Sequence, residues 1–489
     1  MFSLENYVEN LMENQNNVVC LEQMNLYSKT DYYEILKPVI DVINNNPDAS
    51  IEELRNKLYE MSPVEDKVKS FILERQMAPG MVIKYGTKNF EETIVIGNRQ
   101  EVGIDESGNL VPAIEKMTDD TIFDLASITK IYTGLSIIKL VEKGIINLED
   151  QVQKYVPEFK NLKDVTIMDL LTFNKPLKTN GRIDRAKSYS EALEILNNIE
   201  VDYDSIGSTK NPYTDMGAMV LKFVIEKVIN MSFYDFIDKA ILQKLGLTDT
   251  HVLVPSYKLD RVASTNLERK YYEDGNIGIT KDVLKSISHD PKARIMGQPL
   301  GNLSGHAGLF STAKDMTVLA KGIINGNIIS MENVLAMSEN KTGRKYIDNG
   351  EIKYVQYLGR LCYSKNPHLA SSEVFHALSG RTFASAGFTG NQLTVDPINN
   401  LYFFMAGNRT HNRFSYIHQS QRDLVIEDSI TKRKTVPTSD GDIVDATRFA
   451  WDRDAKIVHP IIILTLQYKL LEDIFNYNKD IEDTKTHSL

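Results

Sequence analysis

Residues 128–146 read as a helix that is apolar almost all round: Ile128, Ile131, Tyr132, Leu135, Ile137, Ile138, Leu140, Val141, Ile145 and Ile146. A helix without a polar face has to be buried on every side. Lys130, its only charge before Lys139, is then costly to desolvate unless it has a task. Ser127 precedes it by three residues, a spacing that puts both on one helix face within reach of each other. The helix N-terminus adds backbone N–H groups that favour a developing negative charge. Desolvation lowers a lysine's proton affinity, so Lys130 is expected to accept the Ser127 proton and make the hydroxyl a nucleophile. The plainer alternative is an N-cap serine with a snorkelling lysine.

Spacing alone does not choose between these readings. Ser-x-x-Lys begins at Ser127, Ser136, Ser311, Ser338 and Ser429. Ser429 lies in the charged stretch "EDSITKRK", and Ser136 falls inside the helix itself. Ser311 and Ser338 sit near expected helix starts, their lysines expected to face water. Only Ser127 combines a helix start with a buried lysine.

The rest of the chain bounds the answer. A formal charge of −10 with no basic face argues against nucleic acid. No apolar run is long enough for a membrane span. The N-terminus "MFSLENYVENLMENQ" lacks the basic and apolar regions of a signal peptide, and two distant cysteines, Cys20 and Cys362, suit a reducing compartment. The expected location is therefore cytoplasmic. Residues 1–75 read as an accessory segment of short helices, and 76–489 as the main domain. Within the latter, helical periodicity dominates about 150–300, a polar insertion spans about 421–457, and a buried helix about 458–477. The runs "GMVIKYG" and "EETIVIGN" suggest a hairpin, and "NQLTVDP" and "LYFFMAGNR" are further strands. Strands at both ends of a helical middle predict a sheet assembled from chain-distant segments, with a helical subdomain.

The segment "DTIFDLASITKIYTGLSIIKLVEKGIINLEDQVQKYVPEF" resembles the first motif region of the serine β-lactamase-like family. That superfamily holds class C β-lactamases, D-Ala-D-Ala carboxypeptidases, D-aminopeptidases and esterases. The resemblance runs on through "VTIMDLLTF", "NPYTDMGAMVLKFVIEKV", "LGLTDTHV", "GHAGLFSTAKDM" and "ASAGFTGNQLTVDP", covering roughly residues 76–420. It implies the β-lactamase/penicillin-binding-protein fold, an α/β (α+β) architecture with an antiparallel sheet flanked by helices plus a helical subdomain. It also implies Ser127 as the acylated nucleophile, Lys130 as its base and Tyr213 of "PYTD" as a proton relay. The backbone amides of Ser127 and Phe388 would form the oxyanion hole. Asp215, Ser385, Ala386, Gly387, His306 and Arg409 would line the substrate cleft, with no metal and no cofactor.

Three departures from the family pattern narrow the expectation. Asp215 stands where Tyr-x-Asn is usual, so it accepts hydrogen bonds but donates no amide N–H. It is expected to pair with Lys130 or with a substrate ammonium. Ser385 and Ala386 replace the cation and hydroxyl of the third motif, which in penicillin-recognising members engage a substrate carboxylate. "LLTFNKPLKTNG" stands where many relatives carry "LLTHTSG". Arg381 and Arg409 are the remaining candidate cations. His289 and His306 are read as loop-fixing or cleft-lining, His376 and His411 as structural. The expected function is a serine hydrolase for a small ester or a D-amino-acid-type amide or peptide, and a poor β-lactamase. An acyltransferase and a catalytically silent binding homologue are the alternatives.

Overall fold

Strand residues Leu401–Gly407, "LYFFMAG", are all buried, and their alternation serves two cores at once. Tyr402, Phe404 and Ala406 point into one, while Leu401, Phe403 and Met405 point into the other. A strand of this kind belongs at the centre of a sheet covered on both faces. The computed structural model describes residues 32–265, 267–271, 277–279, 285–368, 373–417, 426–427, 434–437, 443–445 and 453–486. Its main sheet is antiparallel with seven strands: β1 (Gly80–Gly86), β2 (Glu91–Ile104), β3 (Leu110–Lys116), β4 (Tyr363–Ser364), β5 (Phe383–Gly387), β6 (Asn391–Asp396) and β7 (Leu401–Gly407). Their order is β4-β5-β6-β7-β1-β2-β3. Met81 pairs with Gly407 and Gly86 with Tyr402, joining chain-distant segments, and β1 and β2 form the expected hairpin.

One face of the sheet packs on the helix Ala313–Ile324, and beyond it α1 (Thr129–Glu142) and α2 (Met216–Ile229) lie against each other in the same larger core. The short helix α3 (Pro291–Met296) packs beside the helix Tyr189–Asn197. The opposite face is covered by the helices Lys37–Asn45, Ile51–Met61 and Val64–Lys69 together with α4 (His459–Thr486). Arg55 pairs with Glu472, and Asn89 donates to the same carboxylate at 3.1 Å, tying the N-terminal helices and the β1–β2 turn to α4. No helix among the described residues is long and apolar enough to cross a membrane. The polar insertion expected at 421–457, residues 1–31 and Ser429 lie largely or wholly outside the described residues.

Helix α1 is buried throughout its first ten residues, as its composition demands. It stops at Glu142 rather than reaching Ile146. Gly144 follows with φ +69°, a left-handed residue that ends a helix at little cost, and it turns Ile145 out to 43% exposure. Lys314 and Lys341, the partners of Ser311 and Ser338, are exposed.

Candidate active site

The short strand Ile122–Asp124 delivers the serine. It pairs with Phe310–Thr312, and the Leu125 N–H donates to the Leu309 carbonyl at 2.9 Å. The chain then turns through Ala126 at φ +46°, a left-handed conformation that costs a residue bearing a Cβ about 1 kcal/mol or more. The buried Asp124 carboxylate holds the turn, accepting the Ala126 N–H at 2.9 Å and the His289 N–H at 2.6 Å. Burial pushes the Asp124 carboxyl up against the pull of those N–H groups. Ser127 follows in a 3-10 turn that runs into α1. Gly305 of the "GHAG" loop threads between α1 and α2 at φ +91°, its carbonyl accepting the Thr133 hydroxyl at 2.5 Å. A Cβ there would lie 2.3 Å from the Ala218 carbonyl oxygen, so glycine is required.

Lys130 is fully buried, and its Nζ lies 2.9 Å from Ser127 Oγ, 2.8 Å from Asp215 Oδ1 and 3.5 Å from the His306 carbonyl. Burial works against charge on this lysine. The Asp215 carboxylate and Tyr213 outweigh it, so Lys130 holds its proton more tightly than an ordinary lysine. This corrects the expectation drawn from burial alone: the resting lysine is an ammonium. Burial likewise opposes ionisation of Asp215, yet Lys130, His306 and Lys292 hold it well below the usual carboxylate range. Its second oxygen takes Lys292 Nζ at 3.0 Å, and Lys292 also reaches Asp290 Oδ2 at 3.3 Å. Each Asp215 oxygen thus already pairs with an ammonium, Lys130 on one and Lys292 on the other.

His306 is buried, with Nε2 3.1 Å from Asp290 Oδ1 and Nδ1 3.1 Å from Ser304 Oγ. It fixes its loop, and its side chain is not presented to a substrate, contrary to its assignment to the cleft lining. Asp215, Asp290 and His306 bring ligand atoms within 4.8 Å of one another. The two ammonium groups already compensate both carboxylates, which leaves this trio without the net negative charge a cation needs.

Tyr213 is clamped between two rings. Phe173 stacks at 5.3 Å and Tyr363, from edge strand β4, at 5.4 Å with planes 5° apart. The Lys130 ammonium lies 4.9 Å from the Tyr213 ring centre. Phe173 sits in the departing segment "LLTFNKPLKTNG" at φ +56°, so that altered loop supplies one half of the clamp.

The opposite wall is β5. Ser385 is buried, Ala386 half-buried, and a Cβ on Gly387 would fall 2.6 Å from the Leu125 carbonyl oxygen. Glycine therefore lets β5 close onto the nucleophile turn. The Asp124 carbonyl accepts Thr389 Oγ1 at 2.6 Å and Asn391 Nδ2 at 2.7 Å, which pins the β5–β6 turn and with it Phe388. The Phe388 ring, 49% exposed, stacks on His289 at 5.4 Å and lies under the Arg409 guanidinium at 4.4 Å. Arg409 Nε donates to the Phe388 carbonyl at 2.7 Å, and burial pushes its guanidinium down to about 10. Arg409 is thus braced on Phe388 through both its ring and its carbonyl. Arg381 is exposed in the turn that precedes β5. His411 accepts the Glu101 N–H at 2.9 Å and is structural as expected. Sequence reasoning missed Lys292 and Tyr363. Lys292 lies in "HDPKA", whose histidine was singled out instead, and nothing in "LCYSKN" marks Tyr363.

A sheet covered on both faces, a serine at the start of a buried helix, a lysine one turn on and a Tyr-x-Asp opposite define a site of serine-hydrolase type. The chain belongs to the beta-lactamase family, whose model matches residues 72–426. A Salmonella typhi protein provisionally named a D-alanyl-D-alanine carboxypeptidase is 31% identical over 320 residues, covering 61% of this chain and 71% of that protein. Among solved structures, EstCE1, a hydrolase with promiscuous acyltransferase activity, matches with a TM-score of 0.53 at 17% identity, over 73% of this chain and 94% of that one. A class C beta-lactamase in complex with cefoxitin matches with a TM-score of 0.52 at 15% identity, over 73% and 95%. At these identities the structural likeness establishes the fold.

Proposed function

We propose that this chain is a serine hydrolase that forms an acyl-enzyme on Ser127 with a small ester or a D-amino-acid-type amide or peptide. The observation that carries the reading is Lys130 Nζ, buried and held between Ser127 Oγ and Asp215 Oδ1. Lys130 and Tyr213 form the pair that handles the proton, and the acylating form is the one in which Lys130 has released its own. Ser127 Oγ attacks the carbonyl carbon, and its proton passes to the pair. The amides of Ser127 and Phe388 stabilise the tetrahedral oxyanion. Collapse breaks the bond to the leaving group, which takes the proton back from the pair. Water then hydrolyses the acyl ester by the reverse sequence. The carboxypeptidase name of the Salmonella relative favours a peptide or amide within this substrate class.

Intact-protein mass spectrometry after exposure to an activated acyl ester tests the reading. A single adduct on the parent, absent from Ser127→Ala, is the expected result; no adduct, or equal labelling of both, overturns it. Ser385 and Ala386 offer no cation or paired hydroxyl to a substrate carboxylate. Two lost charge-assisted bonds of about 1.5–3 kcal/mol each lower kcat/KM by roughly 10²–10⁴. Cephalosporin hydrolysis is therefore expected to trail that of a dedicated β-lactamase by that order, and a kcat/KM near that of such an enzyme contradicts the substrate assignment.

A further inference from the structure

Asp215 introduces a negative charge where the family pattern has a neutral amide. Alone against Lys130, a buried carboxylate at 2.8 Å would lock the lysine in its charged form. Lys292 changes that balance. Its Nζ sits 3.0 Å from the other Asp215 oxygen, is only 19% exposed, and is held in place by Asp290 at 3.3 Å. Asp290 is fixed in turn by His306 Nε2 and by the Ala293 N–H of α3 at 3.0 Å. Two ammonium groups therefore share one carboxylate, each making the other's charge less favourable. We propose that Lys292 is a positioning residue of the acylation machinery, sharing Asp215 with Lys130 so that Lys130 gives up its proton more readily than it would with Asp215 to itself. The inference rests on the acyl-enzyme reading of Ser127.

The groups around Lys292 leave this role to it. Asp215 comes from the start of α2, Lys130 from α1, His306 from the glycine loop and Asp290 from the cap of α3. Asp184, from the 3-10 turn Ile183–Arg185, feels the Lys292 charge but is bound by Arg182 through bonds of 2.8 and 2.6 Å. Arg294 lies on α3 itself, half-buried, and the neighbouring helix Tyr189–Asn197 turns Glu191 and Glu194 to solvent. Burial opposes charge on Lys292, but Asp215 and Asp290 outweigh it and keep it an ammonium. Removing a cation that shares Asp215 raises the proton affinity of Lys130, which fixes the sign of the effect.

The test is the rate of Ser127 acylation by an activated ester as a function of pH, read by intact mass, for the parent, Lys292→Met, Lys292→Gln and Lys292→Arg. The methionine and glutamine variants are expected to shift the rising limb up by on the order of one pH unit. On the limb they acylate roughly tenfold more slowly than the parent at the same pH, and the gap narrows as pH rises. Arginine keeps the charge and is expected to keep the limb. Glutamine retains hydrogen bonding to both carboxylates, so it carries the test if methionine impairs folding. An equal loss at every pH with an unmoved limb, or an arginine variant shifted as far as methionine, overturns the inference while leaving the nucleophile assignment intact. A parent with no Ser127-dependent acylation overturns both.

Discussion

A Lys130→Met variant is expected to fold and to lose Ser127 acylation by about 10²–10⁴-fold, the usual worth of a positioned acid–base group. The rate argument is geometric. Lys130 Nζ is 2.9 Å from Ser127 Oγ and 4.9 Å from the Tyr213 ring centre, so its loss strips the pair that carries the proton. Methionine fills the same buried, straight-chain volume. Asp215 keeps Lys292 at 3.0 Å, so no carboxylate is stranded. Replacing one member of a buried ionic cluster without leaving an unpaired charge is often close to neutral, and the stability change should stay within about 2 kcal/mol. Acylation rate by mass spectrometry and thermal unfolding together check this; a variant acylating within tenfold of the parent would remove Lys130 from the mechanism.

Asp215→Ala is expected to be the most damaging change to stability. It leaves Lys130, fully buried, without its closest carboxylate, and Lys292 with Asp290 alone. Stranding a buried charge typically costs about 3–5 kcal/mol. In the parent, Asp215 lies below its unfolded value, so its contribution is present above an unfolded carboxylate pKa of roughly 3.9 and is lost only in stronger acid. Lys130 and Lys292 lie above theirs, so their contribution is complete below roughly 10.4 and is lost as pH rises beyond it. The parent network therefore stabilises evenly across the neutral range. In the variant the sign for Lys130 inverts: its burial is uncompensated, the unfolded chain binds the proton better, and the deficit shrinks as pH rises toward 10. Adding Lys292→Met removes the second ammonium facing the stranded Lys130 and should recover part of the loss, a coupling readable from a double-mutant cycle. Denaturant melts of the four chains at pH 6 and pH 9 measure all of this. A loss under about 1 kcal/mol with no pH dependence would show that the buried charges relax to solvent.

Much of the frame was legible because its signals are local. The all-apolar run after Ser127 announced a buried helix, and the run "LYFFMAGNR" announced the strand that became β7. The lysine three residues after the serine placed the two together through helical geometry alone, and the distance of 2.9 Å follows from it. The end of α1 was misjudged because apolar composition continued through Ile146, while the left-handed Gly144 had already turned the chain. His306 was assigned to the cleft for its place in a glycine loop, and packing turned its ring inward onto Asp290 and Ser304.

By itself, then, the amino-acid sequence determined the family, the serine–lysine pair and the missing third-motif cation, all set by residues within a few positions of one another. The tertiary structure alone decided the charge of Lys130, the second partner of Asp215 and the clamp on Tyr213. A buried lysine's proton affinity is set less by its own desolvation than by whichever carboxylate the fold brings to it. That carboxylate is 85 residues away in the chain, and the lysine opposing it lies on yet another helix.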